Sequence, residues 1–281
     1  MRITPTGLPV EEALPALCAA LQDAGCAVLT APPGAGKTTL VPLALLDEAW
    51  AVGKILMLEP RRLAARAAAE RMASLLGERA GETVGFRVRG EAKVSPSTRI
   101  EVVTEGILTR MLQSDPELSG VSAVIFDEFH ERSLNADLGL ALCWEARGAL
   151  REDLRIVVMS ATLDAGPVAE LMGGAPIVSS DGRAFPVETV WLHAPWKSGA
   201  RRTEDAVGAL VRKAMAEAGG DAPVFLPGVG AIERVRRTLG GGGAELYALH
   251  GAMPCNDQRA PRSPAQELTT VLDTGMSGGC L

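Results

Sequence analysis

The stretch from Thr30 to Thr39 reads T-A-P-P-G-A-G-K-T-T and follows a short apolar run, Ala27-Val28-Leu29. This combination constrains the chain more than any other segment. A buried strand has to end, the backbone has to stay open, and a helix has to begin at Lys37. Such a turn presents backbone N–H groups and a helix N-terminus to an anion, with Lys37 reaching outer phosphates and the Thr38 hydroxyl placed for Mg²⁺. Pro33, Gly34, Ala35, Gly36, Lys37, Thr38 and Thr39 are therefore candidate contacts to a nucleoside triphosphate. Ala31 stands where the full pattern has glycine, and Pro32 and Pro33 stiffen the turn. An ordinary strand–turn–helix connection is the alternative reading of this motif alone.

Apolar runs alternate with helical patterns along the chain, as in a mostly parallel sheet covered by helices. Leu14, Leu17, Cys18 and Leu21 recur at helical spacing ahead of the first strand. Further strands are expected at Ile55–Leu58, Ile100–Val103, Val121–Phe126 and Arg155–Met159. Helices are expected from Lys37 towards Trp50, over Arg62–Leu76, from Thr104 through Leu112 and near Leu138–Ala149. Val187–Leu192 is expected to close this unit, and Pro195–Gly199 reads as a linker. The expected domains are 1–194 and 195–281. The second begins a new alternation: a helix over Thr203–Ala218, a strand at Val224–Leu226, a helix near Ile232–Leu239, and strands near Leu246–Leu249 and Thr270–Leu272.

Composition narrows the partners. Net charge is -6 over 281 residues, so any basic surface has to be local. Aromatics are only 4%, which leaves few platforms for stacking bases. The five cysteines lack C-x-x-C pairing and zinc spacing, as expected of buried thiols in a reducing cytoplasm. No apolar stretch is long enough to span a bilayer, so no membrane partner is expected. His193, His250 and the four tryptophans read as structural residues.

A second constellation decides the matter. Val121–Phe126 runs into Asp127-Glu128-Phe129-His130, about 90 residues beyond Lys37. Carboxylates at the C-terminal end of a buried parallel strand lie beside the phosphate turn, because open α/β sheets place their sites along that edge. Asp127 is placed to hold Mg²⁺ through water, and Glu128 to polarise the water that attacks the outer phosphate. A solvated acidic turn is the bland alternative.

Together these motifs resemble the DEAH-box branch of superfamily 2 helicases, most closely its bacterial HrpB-type members. Leu58-Glu59-Pro60-Arg61-Arg62 is similar to the family's Pro-Arg-Arg motif, Thr104-Glu105-Gly106 to its Thr-x-Gly element, and Ser160-Ala161-Thr162 to its coupling motif. The resemblance implies a RecA-like P-loop NTPase domain followed by an incomplete second RecA-like domain. It implies ATP and Mg²⁺ as cofactors, tolerance of other NTPs, and single-stranded RNA or DNA as partner. By position, Lys37, Asp127, Glu128 and His130 are the catalytic set, and Thr38, Asp127 and Glu128 surround the metal. Arg61, Arg62 and Thr104 are the strand contacts, Ser160 and Thr162 the coupling residues, and Arg71 the arginine that stacks on the adenine ring of the bound nucleotide. Arg61 and Arg62 also admit a plainer reading, as a salt bridge at a helix start.

The pattern departs from the family late in the chain. No Q-R-x-G-R-x-G-R segment follows Gln258-Arg259, and Val271-Leu272-Asp273-Thr274-Gly275 resembles an element that normally follows a motif missing here. An internal loss followed by truncation is expected, and with it impaired unwinding. A nucleotide- or strand-binding module without turnover is the competing class; a small-molecule kinase leaves Arg61-Arg62 and Ser160-Ala161-Thr162 without a role.

Overall fold

The computed structural model describes residues 5–161, 165–182, 187–192, 203–217, 221–240, 245–250, 253 and 269–273. Thr162, His193, Pro195–Gly199, Gln258 and Arg259 lie outside the described residues. The chain forms two compact units, Met1–Pro186 and Val187–Leu281.

The first unit is built on an eight-stranded sheet. Its strands are β1 (Cys26–Thr30), β2 (Lys54–Leu58), β3 (Val84–Val88), β4 (Glu91–Lys93), β5 (Ile100–Val103), β6 (Val121–Phe126), β7 (Arg155–Ser160) and β8 (Ile177–Ser179). They lie in the order β4-β3-β5-β2-β6-β7-β1-β8, and only the β3–β4 hairpin is antiparallel. The helices are α1 (Leu14–Asp23), α2 (Lys37–Leu45), α3 (Arg62–Leu75), α4 (Glu105–Ser114), α5 (Leu134–Ala149) and α6 (Gly166–Leu171).

The central strands are apolar on both sides because both faces are covered. Alternate residues serve two separate cores. Ala27, Leu29, Ile55, Met57, Ile125 and Val157 pack with α1, α2 and α3. Val28, Leu56, Leu58, Val124, Phe126 and Val158 pack with α4, α5 and α6. This period-two split pins the register, since a one-residue slip would exchange the two cores.

Expected strands reappear at β1, β2, β5, β6 and β7, and three others were not anticipated. β3 contains Gly85 and Arg87, residues that interrupt an apolar reading. A Cβ at Gly85 would lie 2.4 Å from the Lys93 carbonyl oxygen, so the hairpin closes only around glycine. Arg87 Nε donates to Glu101 Oε1 at 2.7 Å, and Lys54 Nζ donates to Glu101 Oε2 at 3.1 Å. That ion pairing lets a 1% exposed glutamate sit inside β5. Val187–Leu192 corrects the sequence expectation in the other direction. It forms no strand, and Val187, Val190 and Trp191 are more than four-fifths exposed, so this apolar run finds no sheet partner. The compact first unit spans Met1–Pro186.

The second unit contains α7 (Thr203–Glu217), β9 (Ala222–Phe225), α8 (Val229–Leu239), β10 (Glu245–Leu249) and β11 (Thr269–Asp273). Its sheet is parallel, in the order β10-β11-β9. Ile232, Val235 and Leu239 fall on one stripe of α8 and bury against Val211, Leu226 and Leu272.

Candidate active site

The C-terminal ends of β1, β2, β5, β6 and β7 share one edge of the first sheet, and the candidate residues follow them. After β1 the chain turns through Pro32-Pro33-Gly34-Ala35-Gly36 into α2. Gly34 and Gly36 are left-handed, with φ of +77° and +93°. A Cβ at Gly36 would meet the Leu8 side chain at 2.8 Å, so the turn needs glycine for conformation and for space. No side chain caps α2, which leaves its leading N–H groups directed into the loop. Ala35 is fixed from behind, its carbonyl accepting from Val10 N–H at 3.0 Å. Pro33 and Gly34 form the exposed rim, and Thr39 bonds back to the Gly36 carbonyl at 3.3 Å.

The lysine turn and the paired acids converge. Lys37 Nζ lies 2.9 Å from Glu128 Oε1, and Thr38 Oγ1 donates to Asp127 Oδ2 at 2.6 Å. Lys37 is 3% and Asp127 4% exposed. Burial, reinforced by the neighbouring Glu128 charge, pushes the Asp127 carboxyl up to about 6; Lys37 and the Thr38 hydroxyl pull it back. A buried carboxylate short of positive charge, beside a hydroxyl and an anion-binding turn, is a hard-oxygen donor set that suits Mg²⁺ completed by waters and phosphate oxygens.

His130 extends this pair into a ring. Ala161 N–H donates to His130 Nδ1 at 3.2 Å, which leaves the proton on Nε2, 3.3 Å from Glu128 Oε2. The Ser160 carbonyl accepts from Ala31 N–H at 3.0 Å, so the end of β7 returns to the phosphate turn. Lys37, Glu128, His130, Ala161, Ser160 and Ala31 thus form one connected circuit across three motifs. Glu128 itself is left-handed at φ +49°, an uncommon state for a non-glycine residue, and Arg132 closes the same turn at φ +49°.

The remaining candidates are more dispersed. Arg61 caps α3 without a side-chain cap bond, and its guanidinium pairs with Glu131 at 2.9 Å. Arg62 is exposed beside it, Thr104 precedes α4, and Arg71 is exposed farther along α3. The site also contains a group that sequence reading passed over. Glu59 follows β2, is 2% exposed, and is pushed up to about 8 by burial and then by the Asp127 charge. It obeys the rule that singled out Asp127, a carboxylate at the C-terminal end of a buried strand. A concavity of about 600 Å³ between α5 and α6 is mostly apolar, lined by Leu140, Trp144, Val168 and Leu171 among others. The charged convergence lies instead at the sheet edge.

A family profile for DEAD/DEAH box helicases matches residues 11–171. The chain belongs to that family. It is 49% identical over 265 residues to the ATP-dependent RNA helicase HrpB of Escherichia coli strain K12, covering 93% of the chain and 32% of that protein. It is 35% identical over 234 residues to the probable ATP-dependent RNA helicase DHR2 of Saccharomyces cerevisiae, covering 81% and 31% respectively. The crystal structure of the Escherichia coli DEAH/RHA helicase HrpB superposes with a TM-score of 0.88 over 95% of the chain and 34% of that structure, at 49% identity. The RecA-like α/β fold is therefore shared with that helicase. The chain spans about a third of the length of these relatives. Among the described residues no helix is long and apolar enough to cross a membrane.

Proposed function

We propose that the chain binds Mg-ATP at the edge of its first sheet and hydrolyses it under the control of single-stranded nucleic acid, in the manner of a DEAH-box motor. The convergence of Lys37 and Thr38 on Glu128 and Asp127 is the observation that carries this reading. Lys37 and the leading N–H groups of α2 receive the outer phosphates. Thr38 and Asp127 hold Mg²⁺, which when bound neutralises phosphate charge and orients the reacting phosphoryl group. Glu128 orients the attacking water and accepts its proton, and His130 fixes the Glu128 carboxylate through Nε2–H. Ser160 and Ala161 feel movement of that turn through His130 and the Ala31 bond.

The names of the relatives favour RNA as the strand. Arg61, Arg62 and Thr104 line the same edge and supply donors for backbone phosphates, and Arg71 supplies a flat cation to stack on the adenine of the bound nucleotide. Arg71 offers no base-specific hydrogen bond, which favours tolerance of several NTPs. The domain arrangement follows the same reading: an ATP-binding domain over 1–194, then residues of a second motor domain over 195–281. With no Q-R-x-G-R segment in the chain, the 281 residues on their own hydrolyse slowly and unwind poorly.

The test is phosphate release by the purified chain, with and without single-stranded RNA, beside the Glu128→Gln variant. Turnover that requires Glu128 and rises with RNA supports the proposal. Identical release by both proteins, with nucleotide still bound, favours a binding module without turnover. Robust ATP-driven strand displacement by the chain alone would overturn the claim of impairment.

A further inference from the structure

Arg61 leaves the end of β2 with its guanidinium between the carboxyl groups of Glu131 and Glu59. One amino group lies 2.9 Å from Glu131 Oε1, and Nε stands 4.0 Å from Glu59 Oε1. The two acids are not equivalent. Glu59 is buried and its Oε1 also accepts the Arg61 backbone N–H at 3.3 Å, so it is fixed to the element that carries Arg61. Glu131 comes from another element, the short 3-10 turn Phe129–Glu131, and its side chain is 37% exposed.

We propose that Glu131 is a positioning residue for strand binding: it holds Arg61 when no strand is present and competes with a backbone phosphate for the same guanidinium. The inference rests on the reading above that Arg61 grips nucleic acid. Carboxylate and phosphate both use the forked donors of arginine, and Glu131 occupies one of the two terminal amino groups that a phosphate would need for a bidentate grip. A half-exposed ion pair is weak enough for a phosphate to displace it. The exchange also reaches the chemistry. Glu131 directly follows His130, and its N–H donates to the Glu128 carbonyl at 2.9 Å. Releasing Arg61 from Glu131 therefore removes a tether from the turn that orients Glu128 and His130.

The experiment measures binding of a short fluorescein-labelled oligo(U) by anisotropy, without nucleotide. The proteins are the wild type, Glu131→Gln, Glu131→Asp, Arg61→Gln and the Arg61→Gln/Glu131→Gln double variant. Glu131→Gln is expected to tighten binding roughly two- to fivefold, the range set by a partly exposed ion pair. Glu131→Asp keeps wild-type affinity, and Arg61→Gln weakens binding. In the Arg61→Gln background the Glu131→Gln gain disappears, because its effect runs through Arg61. A gain of equal size in both backgrounds would mean that removing any negative charge helps, and the proposal fails. It fails equally if Glu131→Gln binds like wild type. Mg-ATP binding measured in parallel separates the two levels. Wild type that binds neither oligo(U) nor Mg-ATP defeats the helicase reading itself, whereas wild type that binds both beside a silent Glu131→Gln defeats the competition alone.

Discussion

Two phenylalanines near strand ends show how differently the two units are built. Phe126, the last residue of β6, is 0% exposed; Phe225, the last residue of β9, is 60% exposed. In the first unit helices cover both faces of a parallel sheet, so every residue of β6 is buried. In the second unit the described helices α7 and α8 contribute to a single core, and β9 alternates between half-buried and exposed positions. Parallel strands in stable α/β domains are usually buried on both sides. The lesson is that one sequence pattern, strand then turn then helix, gives a rigid platform only where a second helical layer exists. The catalytic candidates all belong to the doubly covered unit.

The largest expected effect tests that platform. Phe126→Ala should destabilise the first unit by about 3–5 kcal/mol, the cost of emptying a large buried aromatic site. Phe126 also stacks edge-on against Phe129, with ring centroids 6.2 Å apart at 85°. The substitution therefore loosens the turn that carries His130, and Mg-ATP affinity should fall with stability. Urea unfolding of the first unit, followed by hydrogen exchange at β6 and β7, checks it. A loss under about 1 kcal/mol would erase the distinction between the two sheets.

Next in size is Lys37→Ala. It removes the buried cation that faces Glu128 and leaves the fold's apolar contacts in place. NTP turnover should fall about 10²- to 10³-fold, as for loss of one electrostatic contact in a water-poor site. Unfolding of the second unit should not change. Steady-state phosphate release beside urea unfolding separates the two readouts.

Much of this unit was legible because its central strands are covered twice. Double burial turns β1, β2, β6 and β7 into largely apolar runs, and the residues at or just past their ends, Gly34-Ala35-Gly36, Asp127-Glu128 and Ser160, stand out as breaks in those runs. The outer strands were not legible because their reasons are tertiary. β3 carries Gly85 for a close backbone approach and Arg87 for a buried glutamate. No local pattern announces either. Val187–Leu192 erred the opposite way: the apolar run is real, but no neighbouring strand pairs with it. Glu59 hid inside a recognisable motif, where Pro60 and the two arginines drew the attention. Arg61 shows a subtler limit, since its pairing with Glu131 joins residues from different elements and leaves no mark on spacing.

Glu59 gives a smaller, pH-dependent effect. Its folded carboxyl is raised from 4.5 to about 8, so the folded state keeps a proton that the unfolded chain releases. Stability from this group is complete below about pH 4.5 and is lost as the pH rises through about 8. Asp127, raised from 3.8 to about 6, tilts the curve in the same direction at lower pH. Glu59→Gln cannot ionise yet still offers an oxygen to the Arg61 N–H. Its Tm should exceed that of wild type by a few degrees at pH 9 and converge with it near pH 4.5. Thermal scans across that range decide the point, and parallel curves would remove Glu59 from the account.

The smallest expected effect returns to the second phenylalanine. Phe225→Ala deletes as many atoms as Phe126→Ala, but most of that ring already faces water. Most of the transfer free energy was never gained, little cavity opens, and the cost should stay within about 1 kcal/mol. Exchange of β9 amides should be equally unmoved. A cost above about 2 kcal/mol would have one physical meaning, that a further apolar layer covers the outer face of β9, since only burial against such a layer makes this side chain expensive to remove. The second sheet would then be doubly covered like the first, and the contrast between the two units would lie in their strand number alone.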